Sequence, residues 1–290
     1  ESIRNAITKF AHYHLVSNEK AKKRIIQLGE AEENIFVFGS PDIDVMLSGN
    51  LPSIETVKTY YDIPFRDYAV LMYHPVTTEV ELLPAHIKEV VDGIIKSNKN
   101  YVVIYPNNDN GTDIILNELK RLEKNVHFRI LPSMRFEFFL SLLKNAEFII
   151  GNSSSGIREA GVYGIPAIDV GTRQSGRYLP EENKHILHVD EDANEICQAI
   201  EQAETMEIEP TFEFGNGNST EILLQMIQSG IARYKSDLLI GCMIKCACIS
   251  GKEMEIAKCI IIREFLLLFR QGQEVRELKI KTSGTYAGNL

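Results

Sequence analysis

The chain has 290 residues, of which 44% are hydrophobic and 24% are charged. This length and composition predict a soluble globular protein with one large or two modest domains. The net charge of -9 argues against a nucleic-acid partner, because a surface that binds nucleic acid is basic. The sequence shows no signal-peptide pattern and no apolar run of about 18 residues, so we expect a cytoplasmic protein with no membrane partner.

The first predicted element is an amphipathic helix over residues 1–10. It lacks an initiator methionine, so we interpret this start as the interior of a longer sequence. The elements that follow are a strand at 14–16, a helix from about residue 17 that Gly29 closes, and a strand at 35–38 that ends at Gly39-Ser40-Pro41.

Strands and helices then alternate along the chain. The predicted strands are at 68–73, 101–105, 126–131, 148–150, 167–170 and 186–189. The predicted helices comprise one that ends near residue 95 and others at 112–122, 136–143, 191–203 and 219–227. Apolar strands that alternate with helices indicate βαβ units, and therefore a parallel sheet covered on both faces.

Unusual polar clusters follow four of these strands. Parallel sheets of this kind bind ligands at the carboxyl ends of their strands, so we expect the four loops to meet at one rim. The clusters are His74–Glu79, Asn107–Gly111, Ser153–Glu159 and Gly171–Gly176.

The segment GNSSSGIREA, residues 151–160, predicts a strand end, a tight turn and a helix that begins at about Ile157. The first turn of a helix has unpaired N–H groups and the positive end of the peptide dipole, so hydroxyls and glycines there let a phosphate approach. Glu159, about one turn into the helix, could bind two hydroxyls of a ribose. A serine that only caps an ordinary helix gives the same pattern, so the other loops are needed to distinguish a phosphate-binding turn from a simple helix cap.

Three side chains in the other loops are candidates for chemistry. His74 follows a buried strand and could act as a general acid or base or donate to a phosphate, although it also fits a structural role. Arg173 has a planar guanidinium suited to a phosphate or a base edge, or is a surface charge. Asn107, near Asp109, also fits a simple turn. We find no Ser-His-Asp set, metal-ligand cluster or dinucleotide fingerprint, and we predict no metal and no cofactor.

Together these loops resemble one protein family. The motifs are HPVTTE at 74–79, PN at 106–107, GNSSSGIRE at 151–159 and GTRQSGR at 171–177, with GSPDID at 39–44 and GNGNS at 215–219. They resemble the carboxy-terminal half of the UDP-N-acetylglucosamine 2-epimerases, in the hydrolysing branch that releases N-acetylmannosamine and UDP for sialic acid synthesis. The resemblance covers residues 1–228.

The resemblance implies an α/β fold with a Rossmann-like parallel sheet, the second domain of a two-domain enzyme of the glycosyltransferase-B type. It also implies a UDP-sugar substrate and, in the full-length enzyme, a homo-oligomer. The resemblance implies that Ser153 and Ser154 bind the diphosphate, that Glu159 binds the ribose and that Arg173 binds another part of UDP. Asn107 and His74 would line the cleft, and His74 would be the only catalytic acid or base on this half.

By the same resemblance, the reaction converts UDP-N-acetylglucosamine and water to N-acetylmannosamine and UDP. The proton on the second carbon of the sugar is removed as UDP departs, which leaves a glycal-type intermediate. Water then adds, and the sugar is released with inverted configuration at that carbon. Negative charge develops on the departing UDP, and helix-terminus amides together with Arg173 would stabilise it.

The amino-terminal half of the family's enzymes has no counterpart in these residues. That half contributes an arginine that binds UDP and the carboxylates proposed as acid and base. We therefore expect this chain alone to bind UDP weakly and to turn over little substrate. The alternatives are a hydrolysing epimerase of a UDP-diacetamido sugar, a retaining glycosyltransferase of the same general fold, and a UDP-binding module without catalysis.

Residues 229–290 differ in character from the rest of the chain. They hold four of the five cysteines, in spacings that fit neither a zinc site nor a disulfide framework. One interpretation is a helical extension or dimerisation arm. However, the codons for residues 268–289, read one nucleotide upstream, can encode a string similar to the nucleotide-binding motif of CMP-sialic acid synthetases. We therefore predict a frameshifted tail and not a native domain, and a locus without a synthetase frame over codons 257–290 would exclude this.

Overall fold

The computed structural model describes residues 2–228, which form two separate parallel sheets. The strands are β1 (His14–Val16), β2 (Ile35–Val37), β3 (Ala69–Met72), β4 (Tyr101–Ile104), β5 (Phe128–Leu131), β6 (Ile149–Gly151), β7 (Ala167–Val170) and β8 (Ile186–Val189). The helices are α1 (Ser2–Phe10), α2 (Glu19–Gln27), α3 (Pro41–Leu47), α4 (Ile54–Tyr60), α5 (Leu83–Lys96), α6 (Thr112–Leu119), α7 (Phe136–Lys144), α8 (Glu159–Tyr163), α9 (Ala193–Ala203) and α10 (Ser219–Gln228). The predicted tail lies outside the described residues.

The larger sheet has six parallel strands in the order β5-β4-β3-β6-β7-β8. The chain runs outwards from β3 to β5, then returns to the other side of β3 and continues from β6 to β8. The strand order therefore reverses between β3 and β6. Open α/β sheets bind their ligands at this switch point, beyond the carboxyl ends of the strands. The predicted α/β fold with a mostly parallel sheet is confirmed.

Both faces of the six-stranded sheet are buried, because successive strand residues point to opposite sides. Val70 of β3 pairs with Ile149 of β6, and both pack against one layer of helices, which includes α3, α4 and α7. Their neighbours Leu71 and Ile150 pack against the other layer, formed by α5, α6 and α9. This two-sided burial explains the continuous apolar runs from which the strands were predicted.

Two short helices, α3 and α4, were missed by the sequence interpretation. Each has only seven residues, which is too short for a clear helical period and too short for stability in isolation. Ile43 of α3 and Val57 of α4 are fully buried in the same core as α7. Tertiary packing therefore determines these two helices. In the opposite sense, β5 begins later than predicted, since Val126 is 82% exposed.

The smaller sheet consists only of β1 and β2, so the early strands do not extend the main sheet. The chain crosses to the six-stranded sheet through the crossover, which we define as residues 39–42. Gly39 has a φ of +87°, and a Cβ there would lie 3.4 Å from the Cα of Gly215. Asp44 accepts hydrogen bonds from the N–H groups of Ser219 and Thr220, at 3.1 and 2.9 Å. The structure therefore brings together the 39–44 and 215–219 motifs, which are distant in sequence.

Within residues 2–228, no helix has the length and apolar character that crossing a membrane requires. The same part of the chain holds no group of three or more His, Cys, Asp or Glu side chains placed to bind a metal ion.

Candidate functional site

The side chain of Asn152 joins the two loops at the switch point. Its Oδ1 accepts the backbone N–H of His74 at 2.7 Å, and its Nδ2 donates to the His74 carbonyl oxygen at 2.9 Å. Asn152 has no exposed surface, and both of these bonds are buried. Because buried backbone groups must be paired, this amide fixes the end of β3 against the end of β6.

A third loop, which follows β7, binds the same asparagine from the other side. Arg173 Nη1 donates to the Asn152 carbonyl oxygen at 2.9 Å, and Gln174 Nε2 donates to the same oxygen at 2.7 Å. Ser153, the next residue along the chain, therefore lies beside His74 and Arg173. The structure thus brings these three predicted site residues to one rim, as the loop pattern predicts.

His74 is a buried, neutral imidazole with a defined tautomer. Its Nδ1 accepts the backbone N–H of Asn107 at 3.1 Å, so that nitrogen carries no proton and Nε2 must carry one. Burial, with a smaller contribution from the positive charge of Arg173, lowers the pKa of His74 to about 3. His74 is therefore uncharged near neutral pH and presents a hydrogen-bond donor. A general base at Nε2 would need the opposite tautomer.

Asn107 supports His74 through its backbone and directs its side chain elsewhere. Its Nδ2 donates to Asp109 Oδ2 at 2.5 Å, which is the turn interaction expected of this pair. Its Oδ1 is buried, and no hydrogen-bond partner for it exists in the described part of the protein. A buried acceptor without a partner is uncommon and marks a position where a ligand or water can donate.

The serine segment adopts a tighter conformation than predicted. Residues Ser154–Gly156 form a 3-10 turn, and Ser153 Oγ accepts the N–H of Ser155 at 3.3 Å. The predicted helix start at Ile157 is wrong, because α8 begins only at Glu159. Serine side chains that bond to nearby backbone groups compete with regular helix, which explains the delay. Glu159 therefore begins the helix and is not one turn into it.

Glu159 is a buried carboxylate with an unused acceptor. The residue is 6% exposed, and no described group forms a hydrogen bond with its Oε2 atom. Burial raises the pKa of Glu159 to about 7, the neighbouring Arg158 opposes that rise, and the carboxylate of Asp42 adds to it. An ionised carboxylate in such a buried position opposes folding, and a buried carboxyl with a strongly raised pKa is a candidate for a binding or catalytic role.

Sequence reasoning missed three residues of this rim as site residues, namely Asn152, Gln174 and Arg158. Asn152 and Gln174 lie inside recognised motifs, but only the fold shows that one binds the other. Arg158 is 7% exposed, and its pairing with Asp42 spans 116 positions of the chain. A polar residue directly after a buried strand was the only local signal for Asn152.

These features define a doubly wound α/β protein whose candidate binding site lies at the topological switch point. The family model of UDP-N-acetylglucosamine 2-epimerase matches residues 1–228. The chain belongs to this family.

Three relatives show how far the similarity extends. The UDP-N-acetylglucosamine 2-epimerase of Neisseria meningitidis serogroup B is 47% identical over 233 residues, 79% of this chain and 61% of the relative. The UDP-N,N'-diacetylbacillosamine 2-epimerase (hydrolyzing) of Legionella pneumophila is 29% identical over 231 residues, 79% of this chain and 60% of the relative. The polysialic acid biosynthesis protein P7 of Escherichia coli is 35% identical over 202 residues, 69% of this chain and 51% of the relative.

A solved structure has the same fold. The UDP-GlcNAc 2-epimerase of Methanocaldococcus jannaschii, in complex with UDP-GlcNAc and UDP, is 25% identical, with a TM-score of 0.62 over 76% of this chain and 61% of that chain. The fold is therefore the GT-B-like α/β fold of these epimerases. The chain spans less than two thirds of the length of these relatives.

Proposed function

We propose that this chain forms the UDP-binding part of a hydrolysing UDP-N-acetylglucosamine 2-epimerase, which converts UDP-N-acetylglucosamine and water to N-acetylmannosamine and UDP. One observation carries the proposal. The buried carboxylate of Glu159, with an unused acceptor, follows the same β6 strand end that Asn152 joins to His74 and Arg173. An acceptor for ribose hydroxyls and donors for a diphosphate thus come from adjacent segments.

The donors at the rim match the needs of a departing nucleotide. As the bond between the sugar and UDP breaks, negative charge develops on the diphosphate, and preorganised donors stabilise it. Arg173 is positively charged and half-buried, and its bond to the Asn152 carbonyl orients the guanidinium beside Ser153. We assign Arg173, Ser153 and Ser154 to the diphosphate and Glu159 to the ribose.

His74 contributes a hydrogen-bond donor in this proposal. Because Nδ1 is occupied by the N–H of Asn107, Nε2–H can donate to an oxygen of the diphosphate or of the sugar. The low pKa of His74 keeps the ring neutral from pH 6 to 8, so its donation does not change with pH in that range. Removal of the proton from the second carbon of the sugar is therefore not assigned to His74.

The names of the relatives support the hydrolysing branch and the sialic acid context. One relative is a hydrolysing 2-epimerase of a diacetamido sugar nucleotide, and another is a polysialic acid biosynthesis protein. The former also keeps open a second candidate function, the release of a diacetamido sugar from its UDP derivative. A UDP-binding module without catalysis is the third candidate, since the chain spans 61% of its 47%-identical relative.

The products distinguish these functions. We expect calorimetry to show UDP binding, and we expect any turnover of UDP-N-acetylglucosamine to give free N-acetylmannosamine and UDP by NMR. UDP-N-acetylmannosamine as product would exclude the hydrolysing branch, and faster turnover of UDP-N,N'-diacetylbacillosamine would favour the second candidate. Binding without product supports the module. Absence of UDP binding would exclude all three.

Two variants of His74 test its role as a donor. In His74→Asn the amide oxygen can still accept the N–H of Asn107, but no atom replaces Nε2–H. In His74→Gln the terminal amide can supply a donor near Nε2, but the bond to Asn107 is lost. We expect the asparagine variant to bind UDP at least about tenfold more weakly than the glutamine variant, because a charge-assisted hydrogen bond contributes about 1.5–3 kcal/mol. Equal affinities, measured by calorimetry, would assign His74 a structural role.

A further inference from the structure

A buried ion pair lies next to the carboxylate assigned to the ribose. Arg158 Nη2 donates to Asp42 Oδ2 at 2.7 Å and to Ser40 Oγ at 2.7 Å, and Ser40 Oγ in turn donates to Asp42 Oδ1. The side chain of Asp42 has no exposed surface, and that of Arg158 has 7%. The guanidinium also lies 5.0 Å from the ring centroid of Phe214. The proposed UDP-sugar site does not use this pair directly.

The pair connects two distant parts of the fold. Asp42 and Ser40 belong to the crossover, whereas Arg158 immediately precedes Glu159 at the start of α8. A buried ion pair is weak evidence for stability alone, because desolvation offsets much of the attraction between its charges. A buried ion pair immediately before Glu159 fits a role in orienting that residue.

The charges around Glu159 come from several elements. The crossover and α3 contribute Asp42, α8 and its N-terminus contribute Tyr163 and Arg158, and the 3-10 turn contributes the hydroxyl of Ser155. Helix α7, which packs on α8, contributes Lys144, whose Nζ lies 5.9 Å from the Tyr163 ring centroid. Arg158 favours the ionised form of Glu159 and Asp42 disfavours it, with Arg158 the larger effect. Burial has the largest effect on the pKa of Glu159, and the two charges of the pair adjust that pKa in opposite directions.

We propose that Arg158 and Asp42 are positioning residues for UDP-sugar binding, which hold the Glu159 carboxylate in its binding state and connect it to the crossover between the two sheets. This inference rests on the proposed function. Asp42 and Ser40 accept hydrogen bonds from Arg158 Nη2 and so fix the residue that directly precedes Glu159, while Glu159 Oε2 retains its capacity to accept a ribose hydroxyl.

The test is the pH dependence of UDP-N-acetylglucosamine binding, measured by calorimetry between pH 5.5 and 8.5. Both phosphates of this ligand are esterified, so the ligand itself keeps a constant charge in that range. If the ionised form of Glu159 binds, wild-type affinity falls below a midpoint near pH 7. Asp42→Asn removes the charge that opposes ionisation, and we expect its midpoint to fall by about one pH unit. At pH 6, the affinity of Asp42→Asn, expressed as a fraction of its own affinity at high pH, should then be about five times the same fraction for the wild type.

A double variant and a matched control complete the experiment. Replacement of both charges in Asp42→Asn/Arg158→Gln leaves neither member of the ion pair as an unpaired buried charge. It also removes the effect of Arg158 on Glu159, which is larger than that of Asp42, so the midpoint should rise above that of the wild type. Asp44→Asn changes a carboxylate of the same helix that binds Ser219 and Thr220 instead, and its midpoint should equal that of the wild type.

We expect the binding midpoint to fall in Asp42→Asn and to rise in the double variant. A purely structural role of the pair would not produce these opposite shifts. Identical midpoints in the wild type, the double variant and Asp44→Asn would overturn the role of the pair while UDP-sugar binding itself persists. If the wild-type chain binds neither UDP nor UDP-N-acetylglucosamine, the proposed function fails first and this inference fails with it.

Discussion

Replacement of Glu159 by glutamine is expected to stabilise the protein at pH 8 by about 3 kcal/mol and to weaken UDP-sugar binding about tenfold. Burial raises the pKa of this carboxyl from the usual 4.5 to about 7. Each pH unit between those values contributes about 1.4 kcal/mol. The affinity falls because a neutral amide replaces the charged acceptor that we assign to the ribose hydroxyls.

The direction of this effect with pH is defined. The folded state binds the Glu159 proton more tightly than the unfolded state. The contribution of Glu159 to the free energy of unfolding therefore falls as pH rises from about 4.5, and it levels off above about 7. The stabilisation in Glu159→Gln should therefore be absent at pH 4, partial at pH 6 and complete at pH 8. Denaturant unfolding at these three values measures it.

Glu137→Gln is the matched control, because it makes the same chemical change on an exposed position of α7. We expect it to alter the free energy of unfolding by less than about 0.5 kcal/mol at each pH. If Glu159→Gln left the affinity for UDP-N-acetylglucosamine unchanged, Glu159 would lose the ribose role. If it left the stability curve unchanged, burial of the ionised carboxylate would not oppose folding.

The main sheet could be predicted from sequence because its strands are buried on both faces. Continuous apolar runs such as those around Val70 and Ile149 exist only where both sides of a strand are covered. The separate pairing of β1 with β2 has no such signal, since both strands are short and apolar like the others. Helices α3 and α4 depend on contacts with α7, which is far away in sequence, so local periodicity could not reveal them.

The sequence predicts which loops form the candidate site, but it does not predict the hydrogen bonds that join those loops. Polar residues after buried strands indicate a rim, and this places His74, Ser153 and Arg173 together. The bonds that organise the rim join Asn152 to a backbone 78 positions earlier, and no local pattern encodes such a contact. The start of α8 was misjudged for a related reason, because the serine hydroxyls bond locally and delay the helix until Glu159.

The largest loss of stability is expected from Gly151→Ala. Gly151 ends β6 beside Met72 of β3, and its φ is +128°. A Cβ on this residue would lie 2.1 Å from the Met72 carbonyl oxygen, and backbone atoms of a central strand cannot move aside. We expect a loss of at least about 4 kcal/mol, which approaches the whole stability of many domains of this kind. Denaturant unfolding or the soluble yield would measure it.

Gly156→Ala separates this steric requirement from a general intolerance of the GNSSSG segment. Gly156 has no positive φ, and a Cβ there would lie 3.4 Å from the Ala167 Cβ and 3.8 Å from the Ile149 Cγ2. Both distances are ordinary contacts, so the stability should change by less than about 1 kcal/mol. Equal stability of the two variants would contradict the geometry at the end of β6. If only Gly151→Ala loses its stability, the close approach of β6 to β3 is required at the strand ends, where Asn152 must reach the backbone of His74.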